Sequence, residues 1–239
     1  MLLVGMAMVG FTASSVSAWG PISHNAIAKS ADAPYPASSW WYKGTYEGCA
    51  SGPDVFFVPA ARMDDVGSKV HGQEYGHMMY MVANNKNNQN SIACSLGWIT
   101  HIAGDPYMHN YVNGLGYLRY KYGRNYPGTT VEATTELGID SLTYFEKGGR
   151  ANVVVDAGLV AETYNKVRDS GKPGISSWSV AWRAGIFAGI VQAEQRSLPA
   201  VYPGAKLTYS DYTGHYTSAY RAATSAMNNP IGFNAPNNG

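Results

Sequence analysis

Apolar residues recur at helical spacing along most of this chain, and nowhere do they alternate as they would in a half-buried strand. Residues 22–33 suit a short helix that Pro34 and Pro36 end. The run from Gln73 to Asn84 reads as a buried helix, and the polar stretch Asn84–Asn90 breaks it with a turn. Ile92, Leu96 and Ile99 mark another helix, and further helical patterns cover about 129–147, 152–169 and 176–196. Two stretches read as loops: the Gly/Tyr-rich segment 113–128, and the long segment 34–70, rich in Pro, Gly, Ser and aromatic residues without sustained periodicity. A loop of that length is more often functional than idle. The pattern predicts one all-α domain with long connections, without internal repeats.

Composition narrows the chemistry. In 239 residues, 45% are apolar and only 14% charged, well below the roughly 25% usual for soluble domains, so the chain has ample material for one core. Lys and Arg number 17 against 16 Asp and Glu, which gives no basic field for nucleic acid. Two cysteines cannot build a thiolate metal cluster; Cys49 and Cys94 either pair in an oxidising compartment or remain buried thiols. Residues 1–18 combine a short apolar run, too short to cross a bilayer, with the small residues Val16 and Ala18. They read as a signal peptide, leaving 19–239 as an extracytoplasmic domain that begins at Trp19.

Five of the six histidines fall between His24 and His109. In His101-Ile-Ala-Gly-Asp105-Pro-Tyr-Met-His109, three metal-competent side chains recur every four residues, on one face if the segment is helical. Trp98, Ile99 and Ile102 beside them imply burial, where unpaired charge is costly. Pro106 predicts a kink or a helix end at Asp105. Downstream, Glu132, Glu136 and Asp140 form a carboxylate stripe that calls for a neutralising cation, either a metal or basic residues such as Arg119, Lys121 or Arg124. His24, Asp54 and one of His71 or His77 could join the first group in a multinuclear site of N and O ligands, which suits zinc and hydrolysis of a phosphodiester.

These residues resemble the zinc-dependent phospholipases C and, more distantly, the S1/P1 nucleases that share their fold. The resemblance covers roughly 19–145 and rests on Trp19-Gly-Pro-Ile-Ser-His24, Pro53-Asp54, a His before the central helix, His101-x3-Asp105 and the acidic helix after it. It implies a mostly helical domain with up to three zinc ions. One would be held by Trp19, His24 and Asp105, a second by Asp54, His71, His101 and Asp105, and the third by His109 with Glu136. Trp19 would chelate through its free amine and carbonyl oxygen, and Asp54 would be a possible proton acceptor. His71 is favoured over His77, because the family's ligand precedes the helix in which His77 lies. Two departures stand out: the compact His-x3-Asp-x3-His looks more like the catalytic domain of glycosylphosphatidylinositol-specific phospholipase D, and Glu132 stands where the family has His. The expectation is a secreted phospholipase C acting on phospholipid with transient membrane contact, Trp40, Trp41, Tyr42, Phe56 and Phe57 facing lipid. D-type cleavage, a single-strand nuclease or nucleotidase, and a non-catalytic metal-stabilised surface protein are the alternatives.

Overall fold

The computed structural model describes residues 20–31, 40–58, 62–114, 128–209 and 211–235. Among these it is all-helical, with nine α-helices, one short 3-10 turn and no strand: α1 (Pro21–Ser30), α2 (Trp40–Cys49), the 3-10 turn (Pro53–Phe57), α3 (Asp64–Val70), α4 (Gln73–Asn85), α5 (Gln89–Gly114), α6 (Gly128–Glu146), α7 (Ala157–Val167), α8 (Ser177–Thr208) and α9 (Tyr212–Asn228). The expected signal segment and Trp19 lie outside the described residues, as do 115–127, most of the loop expected after α5, with Arg119, Lys121 and Arg124.

The 26-residue helix α5, about 39 Å long at 1.5 Å per residue, runs between two apolar cores. Trp98, Ile99 and Ile102 enter one with residues of α3, α4, α7 and α8. Ala93 and Leu96 enter the other, with α1, α2, α6 and α9. Pro106 lies inside α5, and the helix continues past it to Gly114, so the helix end expected at Asp105 does not occur. Packing along a helix buried from several sides outweighs the loss of one backbone bond.

The expected loop at 34–70 is largely helical. α2 lacks an apolar stripe and contains Gly44 and Gly48, so nothing in its own sequence announces it; its partner does. A Cβ at Gly97 of α5 would sit 2.1 Å from the Tyr46 carbonyl oxygen, which shows how closely the two backbones approach. A disulfide between Cys49 and Cys94 joins the same pair of helices. α8 continues through Pro199 and Pro203 well beyond the expected 196, and α9 is a helix that the apolar pattern did not reveal.

α1 is held by an acceptor from another helix. Its N-cap is Gly20, which has no side chain, and Pro21 follows with no N–H. The next two donors are taken by Asp140 of α6: Ile22 N–H at 3.0 Å and Ser23 N–H at 2.9 Å, joined by the Ser23 hydroxyl at 2.5 Å. A carboxylate there satisfies the donors that a helix start leaves open and suits the positive end of the helix dipole. A Cβ on residue 20 would lie 2.1 Å from Asp140 Oδ2, so glycine is required.

Candidate metal centre

Four segments carry polar side chains into one buried place. α1 contributes His24; the 3-10 turn contributes Asp54; the residue capping α3 is His71; α5 contributes His101, Asp105 and His109. All six are under 10% exposed. His71 Nε2 lies 3.4 Å and His101 Nε2 3.8 Å from Asp54 Oδ1. His24 Nε2 is 3.7 Å from Asp105 Oδ1, and His109 Nε2 is 3.4 Å from Asp105 Oδ2. The candidate ligand atoms of His24, His101 and Asp105 lie within 4.8 Å of one another, and so do those of Asp54, His71 and His101. Ligand atoms around a tetrahedral zinc with bonds near 2 Å stand about 3.3 Å apart, so both triplets are close to ligating geometry.

Local packing fixes the direction of each ring. His101 Nδ1 donates to the Ala50 carbonyl at 2.8 Å, and His71 Nδ1 to the Gly67 carbonyl at 2.7 Å. A carbonyl only accepts, so both Nδ1 atoms carry hydrogen and each Nε2 faces the cluster, the outer support typical of metal-bound imidazole. Trp98 Nε1 donates to the Val70 carbonyl at 2.9 Å, tying the end of α3 and hence His71 to α5. Beside His24, Asn25 donates to Ser51 and to the Pro21 carbonyl and accepts from the Asn152 N–H. The N-terminus of α1 is thereby joined to two chain segments beyond it.

The electrostatics are those of a site built around positive charge. Burial pushes the His24 and His101 pKa values well below the usual histidine value, and neighbouring imidazoles add to the effect. Burial acts on His71 in the same direction, but the hydrogen bond and charge of Asp54 outweigh it, and its pKa is raised. Burial opposes ionisation of Asp105, yet His109, His101 and His71 hold its pKa at about 2. With the rings neutral, as metal binding requires, the centre would carry two buried carboxylates. His101 Nε2 and Asp105 Oδ1 have no hydrogen-bond partner, an arrangement that costs stability unless a cation is supplied. The N/O donor set, the lone pairs and the negative charge fit zinc or a similar divalent ion.

Other expected site residues lie elsewhere. His77 sits on α4 with its ring edge against Phe233, centroids 4.8 Å apart, and belongs to neither triplet. Glu136 is half-buried on α6. The side chains of Glu132, Trp40 and Trp41 are outside the described part of their helices. Phe56 and Phe57 do not face lipid: they are 0% and 8% exposed, and Phe57 packs over Gly67 beside His71 as a wall of the centre. The expected cation for the acidic stripe is, at Asp140, replaced by the helix donors of α1 and by a hydrogen bond with Glu194 of α8. Sequence reading missed Glu194, because only the fold brings α8 to α6. No protein-family model, curated protein or solved structure matches this chain.

Proposed function

We propose that this chain is an extracytoplasmic, zinc-dependent phosphodiesterase with the helical fold of the phospholipase C and P1 nuclease type, and that it cleaves phospholipids in the manner of a phospholipase C. One observation carries the reading: three imidazole Nε2 atoms and two carboxylates, buried and convergent, arranged as two triplets that share His101. Two of those rings are oriented through Nδ1 by backbone carbonyls. Asp54, His71 and His101 would hold one ion and His24, His101 and Asp105 border a second position, with His109 and Glu136 proposed for a third. When bound, such ions supply a nucleophilic water at neutral pH and stabilise charge on phosphoryl oxygens. The protein's own part is to wall the centre from bulk water with Phe57, to keep Asp105 ionised, and to hold the buried Asp54 carboxylate beside His71 and His101, where it could accept a proton. The disulfide and the apolar N-terminal run support export.

Incubation of the zinc-loaded protein with phosphatidylcholine, with products identified by mass spectrometry, tests this. Diacylglycerol and phosphocholine are expected. Phosphatidate and choline would move the scissile bond to the D position, and a fully metallated protein that turns over no phosphodiester, phospholipid and single-stranded DNA included, would overturn this reading in favour of a non-catalytic metal-stabilised surface protein.

A further inference from the structure

The buried face of α8 is made by Val180, Phe187, Val191, Leu198 and Ala205. At 100° per residue, the opposite pole of its first half holds Trp178, Trp182, Gly185, Gly189 and Ala193. A solvated helix places charged and hydrogen-bonding side chains there; α8 places none. Trp178 is 73% exposed and Trp182 44%, their rings nearly parallel with centroids 6.3 Å apart. Ile190 flanks them at 38%, and a Cβ at Gly185 or Gly189 would meet nothing within 4 Å, so the strip is open along its length. The ionic side chains of α8 are Arg183, Arg196, Lys206 and Glu194, and Glu194, half-buried, turns inward to Asp140. What the helix offers outside is therefore mainly apolar, bordered by the exposed Gln192 and Arg196 and by the half-buried Arg183, whose guanidinium donates to the Ser179 carbonyl and hydroxyl and lies 5.6 Å from the Trp182 ring.

We propose that this face of α8, from Trp178 to Ala193, docks the protein on an anionic lipid surface, lying in the headgroup region with its two tryptophans inserted. Indole rings favour that boundary, and arginines beside them complement acidic headgroups. No helix among the described residues is long and apolar enough to cross a membrane, so contact is along the surface. A second copy of the chain fits less well: a strip about 23 Å long and about 10 Å wide falls far below the roughly 800 Å² per partner of a stable interface. The inference rests on the lipid reading above for its purpose, but adsorption and turnover are separate measurements.

The test is co-sedimentation of the purified protein with vesicles of phosphatidylcholine alone or mixed with phosphatidylglycerol, beside hydrolysis of a monomeric short-chain phosphatidylcholine. Binding is expected to the mixed vesicles and to weaken with salt. The W178S/W182S pair, exposed and so compatible with folding, should lower partitioning roughly tenfold or more, and R183Q and R196Q about fivefold each on anionic vesicles only. Circular dichroism checks the fold of each variant. Undiminished binding by W178S/W182S, or no adsorption of the wild type, would overturn the proposal. So would a concentration-dependent dimer abolished by the same pair without any lipid binding. None of these results touches the proposed hydrolysis, which the soluble substrate reports.

Discussion

His24 and His101 stack face to face, 3.7 Å between ring centroids and 20° from parallel, which two imidazolium ions would not tolerate. Folding therefore keeps both neutral, and the sign of the resulting pH dependence follows. In the unfolded chain each takes a proton near pH 6.5; in the folded chain both resist it, so stability due to this pair is present above that value and is lost as pH falls below it. His71, with its raised pKa, pulls the other way. Metal needs the neutral rings, so lowering pH from about 7 to about 5 should release bound zinc and lower the melting temperature together, read by elemental analysis after dialysis and by thermal melts. At neutral pH, His101→Ala and Asp105→Asn should each weaken zinc binding by more than about a hundredfold, beyond what loss of an outer-shell partner does, and abolish hydrolysis. Normal zinc stoichiometry in either variant would show that the triplets are not ligand sets.

At the scale of elements, α1 brings His24 to α5 because Asp140 ends α1 from outside. Asp140→Ala would strip the acceptor from two N–H groups and a hydroxyl, and should cost about 3 kcal/mol in urea unfolding. It should also reduce zinc affinity although Asp140 belongs to neither triplet. Burial raises the Asp140 pKa to about 6, against the hydrogen bonds from Ser23, Glu194 and the α1 N–H groups, and burial together with the Asp140 carboxyl pushes that of Glu194 well above the usual value, so the pair holds a proton that the unfolded chain would release near pH 4. Its contribution to stability is complete below about 4 and fades as pH rises through about 6. Glu194→Gln should flatten that slope. The same scale shows what the sequence disclosed. The His101–Asp105–His109 face was legible, because a four-residue period needs only local helix to converge. Glu132, Glu136 and Asp140 were legible as a stripe, but the partner of Asp140 was not, since Ser23 is 117 residues away. α2 escaped notice because its register comes from Gly97 on another helix. α9 escaped because its buried side is Tyr212, Tyr216, Ala219, Ala223 and Ala226, a regular spacing built from small and half-polar residues rather than aliphatic ones. Gly97→Ala, which sets a methyl against the Tyr46 carbonyl, should cost about 2 kcal/mol or more by forcing α2 off α5.

Over the whole molecule, among the described residues, two cores meet along α5, and the polar cluster is placed where α1, the 3-10 turn, the end of α3 and α5 converge. That placement gives the disulfide a role beyond its usual stabilisation of about 2–4 kcal/mol. Cys49 precedes Ala50, whose carbonyl fixes the tautomer of His101, and Cys94 lies two helical turns before His101 on the same face of α5. Opening the bridge should loosen the segment whose Ala50 carbonyl aims His101 into both triplets. For the proposed metal, oxidation of the thiols and capture of the ion would then favour one another, and such coupling is reciprocal: a bound ion would protect the bridge by the same factor by which the bridge tightens the ion. Zinc-loaded protein should therefore need more phosphine reductant to open Cys49–Cys94 than the metal-free form, as read by thiol labelling. A chain kept in a reducing compartment would hold its metal weakly, and the centre would close fully only after the thiols had been oxidised.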